Sequence, residues 1–98
     1  MKFTTDFTTI SAEIRIAIMD AIRRDLNAGG VLICKLSNHP DDDYLYLYIA
    51  ESKNNTYIVG LANTSRKGYV GLYENHYDVT FQRALEILAD KIHDCNNN

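Results

Sequence analysis

Tyrosine is the residue type best placed to do chemistry in this chain. Seven Tyr and no Trp occur among 98 residues. Tyr44, Tyr46 and Tyr48 alternate, so on a strand they share one face. Such a row either packs as a half-buried sheet face through cross-strand aromatic pairs or offers stacking platforms to nucleic-acid bases. Stacking platforms sit among Lys and Arg. Here Asp41, Asp42 and Asp43 precede the row and repel phosphate, which favours packing.

Other constellations are weaker. His39, Asp41, Asp42 and Asp43 supply oxygen and nitrogen donors, but the alternating acidic pattern and distal Glu of a calcium loop are missing. A solvated turn accounts for them. His76 and His93 have no His or Cys at ligand spacing, so no metal is expected. Cys34 falls in an apolar run and reads as a core residue, while Cys95 lies in the polar C-terminal tail. Neither has a His–acid pair to make it a nucleophile. No catalytic residue and no cofactor are assigned.

The elements that must position these residues follow from periodicity. Lys2–Thr9 alternates Phe with Thr like a strand. Ser11 is a helix N-cap, with Glu13 in the first turn. Ile14, Ile18, Ile22 and Leu26 recur every four residues beside Ala17 and Ala21, the pattern of a helix stripe. The glycines of Asn27-Ala28-Gly29-Gly30 offer the left-handed cap that stops the helix. Val31–Leu36 reads as a buried strand and Ser37–Asp43 as a turn. Tyr44–Ile49 places tyrosines on one face and Leu45, Leu47 and Ile49 on the other. After a turn at Ser52–Asn55, Thr56–Ala62 returns as an antiparallel hairpin partner. Asn63–Gly68 turns again into a final strand, Tyr69–Tyr73. Asp78 or Thr80 caps a last helix with a Phe81, Leu85, Leu88 and Ile92 stripe.

The expectation is one α+β domain over residues 1–95, with a frayed tail at 96–98. Its order is β-α-β-β-β-β-α: a mostly antiparallel sheet of four to five strands packed with two helices. Ten Lys and Arg against thirteen Asp and Glu give a net charge of −3, a poor basis for gripping phosphate backbones nonspecifically. The α-β-β-β-α portion invites comparison with double-stranded-RNA-binding domains, but the last helix is too acidic for that role. No apolar run is long enough for a bilayer, so no membrane is expected. The N-terminus lacks the apolar core of a signal peptide, and a cytoplasmic location is the default.

Four pieces, in order, resemble the N-terminal half of ribosome-inactivating proteins, the A chains of the ricin and Shiga toxin type. Lys2-Phe3-Thr4-Thr5-Asp6-Phe7-Thr8-Thr9 resembles the family's first strand, and the helix with Ile22-Arg23 its first helix. Asn55-Thr56-Tyr57-Ile58-Val59-Gly60 is similar to its Asn-x-Tyr-Val-x-Gly strand. Asn75-His76-Tyr77-Asp78-Val79-Thr80-Phe81-Gln82-Arg83-Ala84-Leu85 is similar to its Asn-Tyr-Asp-x-Leu helix start. The resemblance implies an adenine stacked between two rings, here Tyr69 and Tyr77, with Asn63 as a further site residue and ribosomal RNA as the partner. The family's later Glu-Ala-x-Arg-Phe helix has no counterpart. Arg83 and Glu86 have that separation in reverse order and suit an i,i+3 surface pair. The resemblance therefore implies a catalytically incomplete domain that retains an adenine- or RNA-binding pocket. A half-domain would expose the surface that its missing half covers, so either a homodimer or a repacked core is expected. The alternative is an acidic inhibitor (immunity, antitoxin or phage anti-defence protein) that presents its tyrosines and carboxylates to a basic protein partner.

Overall fold

Ser11 starts the first helix by accepting a hydrogen bond from the Ile14 amide through its side chain, 3.2 Å away. The helix, α1, runs Ala12–Leu26 and stops where Asn27 adopts the left-handed conformation at φ 51° and its N–H reaches the Arg23 carbonyl. The cap is thus Asn27 rather than a glycine. Asn is one of the few residues with a side chain that tolerates this conformation, and it frees both glycines to open the next strand.

The structure, a computed structural model, describes residues 10–35, 45–66 and 68–96. The strand expected over Lys2–Thr9, the Ser37–Asp43 turn and Tyr44 lie outside these residues, as do the Cys95 side chain and the end of the tail. After α1 come β1 (Gly29–Lys35), β2 (Leu45–Glu51), β3 (Tyr57–Asn63), β4 (Gly71–Val79) and α2 (Phe81–Asn96). The strands form one antiparallel sheet in the order β1-β2-β3-β4. The fold is α+β, as its sequence pattern predicts.

The two helices cover opposite faces. Ile18, Ala21 and Ile22 of α1 pack with Ile33, Tyr46, Tyr48, Ala50, Ile58 and Ala62. Cys34, Leu47, Ile49 and Val59 pack with Ala84, Ile87 and Leu88 of α2. Residues 46–50 are therefore buried on both sides of the strand. This corrects the half-buried tyrosine face: Tyr46 and Tyr48 are core residues under α1, closed to any base.

Three further expectations change. Val31 stays half exposed because a register shift between Gly30 and Leu32 takes it out of the ladder with β2. The last strand starts at Gly71 and continues through Val79, so Tyr69 precedes it and Tyr77 lies within it. Left-handed Glu74 and Asp78, at φ 52° and 56°, kink that strand, and its pairing with β3 shifts register. Finally, the buried face of α2 turns toward Ala84 and Ile87, leaving Phe81 and Leu85 exposed. Phe81 packs at its rim against Tyr57, with ring centroids 5.1 Å apart.

Candidate ligand groove beside Tyr69

The loop between β3 and β4 folds against α1. Val70 is buried in the core beneath that helix, and it pins the loop. Arg24 of α1 pins it again, donating through Nη2 to the Val70 carbonyl at 3.1 Å. Two further bonds from Arg24 to Asp25, both 2.8 Å, fix the guanidinium. They also hold the Asp25 carboxyl below the usual carboxylate range. The Arg24 guanidinium lies 5.1 Å from the centre of the Tyr69 ring, a cation–π contact that sets the ring's orientation. Arg66 lies 6.0 Å from the same ring centre. The Tyr69 amide donates to the Arg66 carbonyl at 3.1 Å, and Gly68 supplies the left-handed turn at φ 76°.

Between α1 and this loop runs a groove of about 450 Å³. Its α1 wall carries Glu13, Asp20 and Arg24, and its loop wall carries Thr64, Arg66 and Tyr69. Tyr69 is 48% exposed there. A smaller hollow of about 220 Å³ adjoins the ring and is lined by Asn63, Ser65, Arg66, Tyr69 and Gly71. Asn63 Oδ1 accepts from the Ser65 amide at 2.8 Å and from the Ser65 hydroxyl at 2.5 Å. These contacts turn the Asn63 amide nitrogen, a donor, away from the Ser65 pair. The larger volume suits a small ligand.

Tyr69 and Asn63 are thus brought together. Tyr77 lines neither hollow. It stands two residues from the Val79 end of β4, whereas Asn63 pairs with Gly71 at the other end. Its hydroxyl accepts from Asn75 Nδ2 at 3.3 Å. No contact joins it to the Tyr69 ring, so the two tyrosines do not form the expected two-ring sandwich. Arg83 and Glu86 form the expected i,i+3 pair at 3.2 Å on the surface of α2. Burial pushes the Cys34 thiol up to about 11, which makes it a poor nucleophile. Among the described residues, no three His, Cys, Asp or Glu side chains gather as metal ligands, and no helix is long and apolar enough to cross a membrane.

Glu13, Arg24 and Arg66 carry no sign of this groove in the sequence. Glu13 looks like a helix-start carboxylate and Arg24 like a helix-end cation. Nothing in their spacing shows that the loop carrying Arg66 packs against the helix that carries Glu13 and Arg24. Comparison with known proteins finds no matching family, no curated relative and no matching solved structure.

Proposed function

We propose that the protein is a binding module without catalysis of its own, whose ligand presents a nucleobase to Tyr69. The observation that carries this reading is the half-exposed Tyr69 ring, held by Arg24 and opening into a groove bordered by Arg66, with Asn63 in the smaller hollow beside it. Every base has a π face, so a fixed aromatic ring stacks on any of them, and Arg24 and Arg66 place positive charge beside this one. Arg66 sits at the outer limit of a cation–π contact, so a base can displace it from the ring. Resemblance to ribosome-inactivating proteins supports an adenine ligand at Tyr69 and Asn63, with Tyr77 left out of the site. The fixed single ring supports the same site without that kinship.

Titrating adenosine monophosphate against the protein tests this by NMR. The Tyr69 ring and Asn63 amide signals should move, and Tyr69→Ala should weaken binding by at least fivefold, given about 1–3 kcal/mol per stacked base. Unmoved Tyr69 signals at millimolar ligand would refute it.

A protein-binding role is the second reading, in which the chain inhibits a basic partner or pairs with its own copy. Exposed Met19 and Val31 border one hollow with Arg15, Leu32 and Ile33, and Ile16 is also exposed on α1. Met19→Lys together with Val31→Lys would abolish such an interaction and leave nucleotide binding at Tyr69 intact.

A further inference from the structure

The groove beside Tyr69 carries charges of both signs, and they differ in how far they are already satisfied. Asp20 is ion-paired with Arg23 on the same helix. Arg24 is bonded to Asp25 and to the Val70 carbonyl. Among the described residues, Glu13 and Arg66 have no ion pair, although both line the groove. Among the described residues, the groove therefore offers one available carboxylate on its α1 wall, one available guanidinium on its loop wall and one half-exposed aromatic ring.

We infer that this groove takes a guanine nucleotide, with Glu13 reading the base and Arg66 holding the phosphate. The inference rests on the base-binding reading of Tyr69 and narrows it. An ionised carboxylate only accepts hydrogen bonds. On its Watson–Crick edge guanine presents two adjacent donors, the ring N1–H and the exocyclic amine, which match the two carboxylate oxygens. Adenine and cytosine place a bare ring nitrogen beside their amine, so one carboxylate oxygen would face a lone pair. Uracil flanks its single N–H with two carbonyls. A guanidinium pairs with phosphate through two parallel N–H bonds, and the two charges suit a ligand that is a donor at one end and an anion at the other. Tyr69 holds the ring system between them. The net charge of −3 does not oppose this, because a single nucleotide needs one local cation rather than a basic surface.

Calorimetric titrations with GMP, AMP, guanosine and inorganic phosphate test the inference on the full chain and on three variants: Glu13→Gln, Arg66→Ala and Tyr69→Ala. Glu13, Arg66 and Tyr69 are all exposed side chains, and an unchanged amide NMR spectrum outside the groove establishes that each variant is folded. GMP should bind at least about tenfold more tightly than AMP, the discrimination expected of one bidentate base contact. Glu13→Gln should bring the two to within about threefold, because its amide accepts at only one atom. Arg66→Ala should remove the advantage of GMP over guanosine. If AMP binds as tightly as GMP while Tyr69→Ala abolishes both, the guanine assignment is wrong and the base-binding reading stands. If inorganic phosphate binds as tightly as GMP and Tyr69→Ala changes nothing, the groove is an anion site and both readings fall. No heat with any nucleotide also refutes both.

Discussion

The hydroxyl of Tyr48, a fully buried side chain, donates to Asn75 Oδ1 across the β3 strand. Asn75 then donates through Nδ2 to the Tyr77 hydroxyl at 3.3 Å, so one amide connects a core phenol to the surface. Burial, with Tyr77 nearby, raises the pKa of the Tyr48 hydroxyl well above that of a free phenol. Gly60 makes the contact possible. A Cβ there would run into Asn75 Oδ1 and stand 3.0 Å from the Tyr48 ring.

Asn75→Ala should therefore cost about 1–3 kcal/mol, because it strands a buried hydroxyl. Tyr48→Phe should cost less, about 0.5–1.5 kcal/mol, since it removes the donor together with its need. Adding Asn75→Ala to Tyr48→Phe should cost less than Asn75→Ala costs alone. Urea denaturation of the three variants checks the order.

Gly60→Ala should destabilise by about 1–3 kcal/mol, the range for overpacking a core. The same substitution should break the Tyr48–Asn75 bond, seen as a displaced Asn75 side-chain amide signal. Gly29→Ala is the control, because nothing lies within 4 Å of a Cβ at that position.

Alkaline pH should lower the protein's stability over two overlapping ranges. The folded Cys34 value is raised from 9.0 to about 11, so the folded state keeps its proton where the unfolded chain releases it. The stability from the neutral thiol is complete below pH 9 and is lost as pH climbs to 11, amounting to roughly 2–3 kcal/mol. Tyr48, also raised, adds a second loss that begins above pH 10. Cys34→Ala should flatten the dependence between pH 9 and 10, as measured by denaturation at each pH.

Thr80 rather than Asp78 caps α2. Thr80 Oγ1 accepts from the Arg83 amide at 3.1 Å, and its carbonyl accepts from the Ala84 amide at 2.8 Å. Asp78 instead faces Thr56, at 3.3 Å. Thr80→Ala should cost about 0.5–2 kcal/mol, and thermal melts should show its loss exceeding that of Asp78→Asn.

On α2, Leu85→Lys should change stability by less than about 0.5 kcal/mol, because Leu85 is exposed. Leu88→Ala should cost about 2–5 kcal/mol, because Leu88 is part of the α2 core. Equal effects in thermal denaturation would mean that the helix buries a different face.

Local periodicity by itself determined most of the fold. Ser11 and the Ile14–Ile18–Ile22 stripe specify where α1 starts and which face it buries, because capping and a 3.6-residue repeat act within a few residues. Alternation through Tyr46, Leu47, Tyr48 and Ile49 specifies two distinct strand faces, since side chains in a strand repeat every two residues. The hairpin joining Leu45–Glu51 to Tyr57–Asn63 was legible in its polar turn.

Only the tertiary structure decided how those faces are used. Tyr46 and Tyr48 are sealed because α1 and α2 cover opposite sides of one sheet, and a strand pattern cannot tell whether one face is covered or both. Tyr77 parts from Tyr69 because β4 extends to Val79, held by pairing with β3 despite the left-handed residues at Glu74 and Asp78. Local signals at those positions speak for turns, and cross-strand bonds override them. Glu13, Arg24 and Arg66 meet around Tyr69 because Val70 buries itself beneath α1 and draws the loop with it. Such a site depends on burial between segments some forty residues apart, and no spacing along the chain encodes that distance.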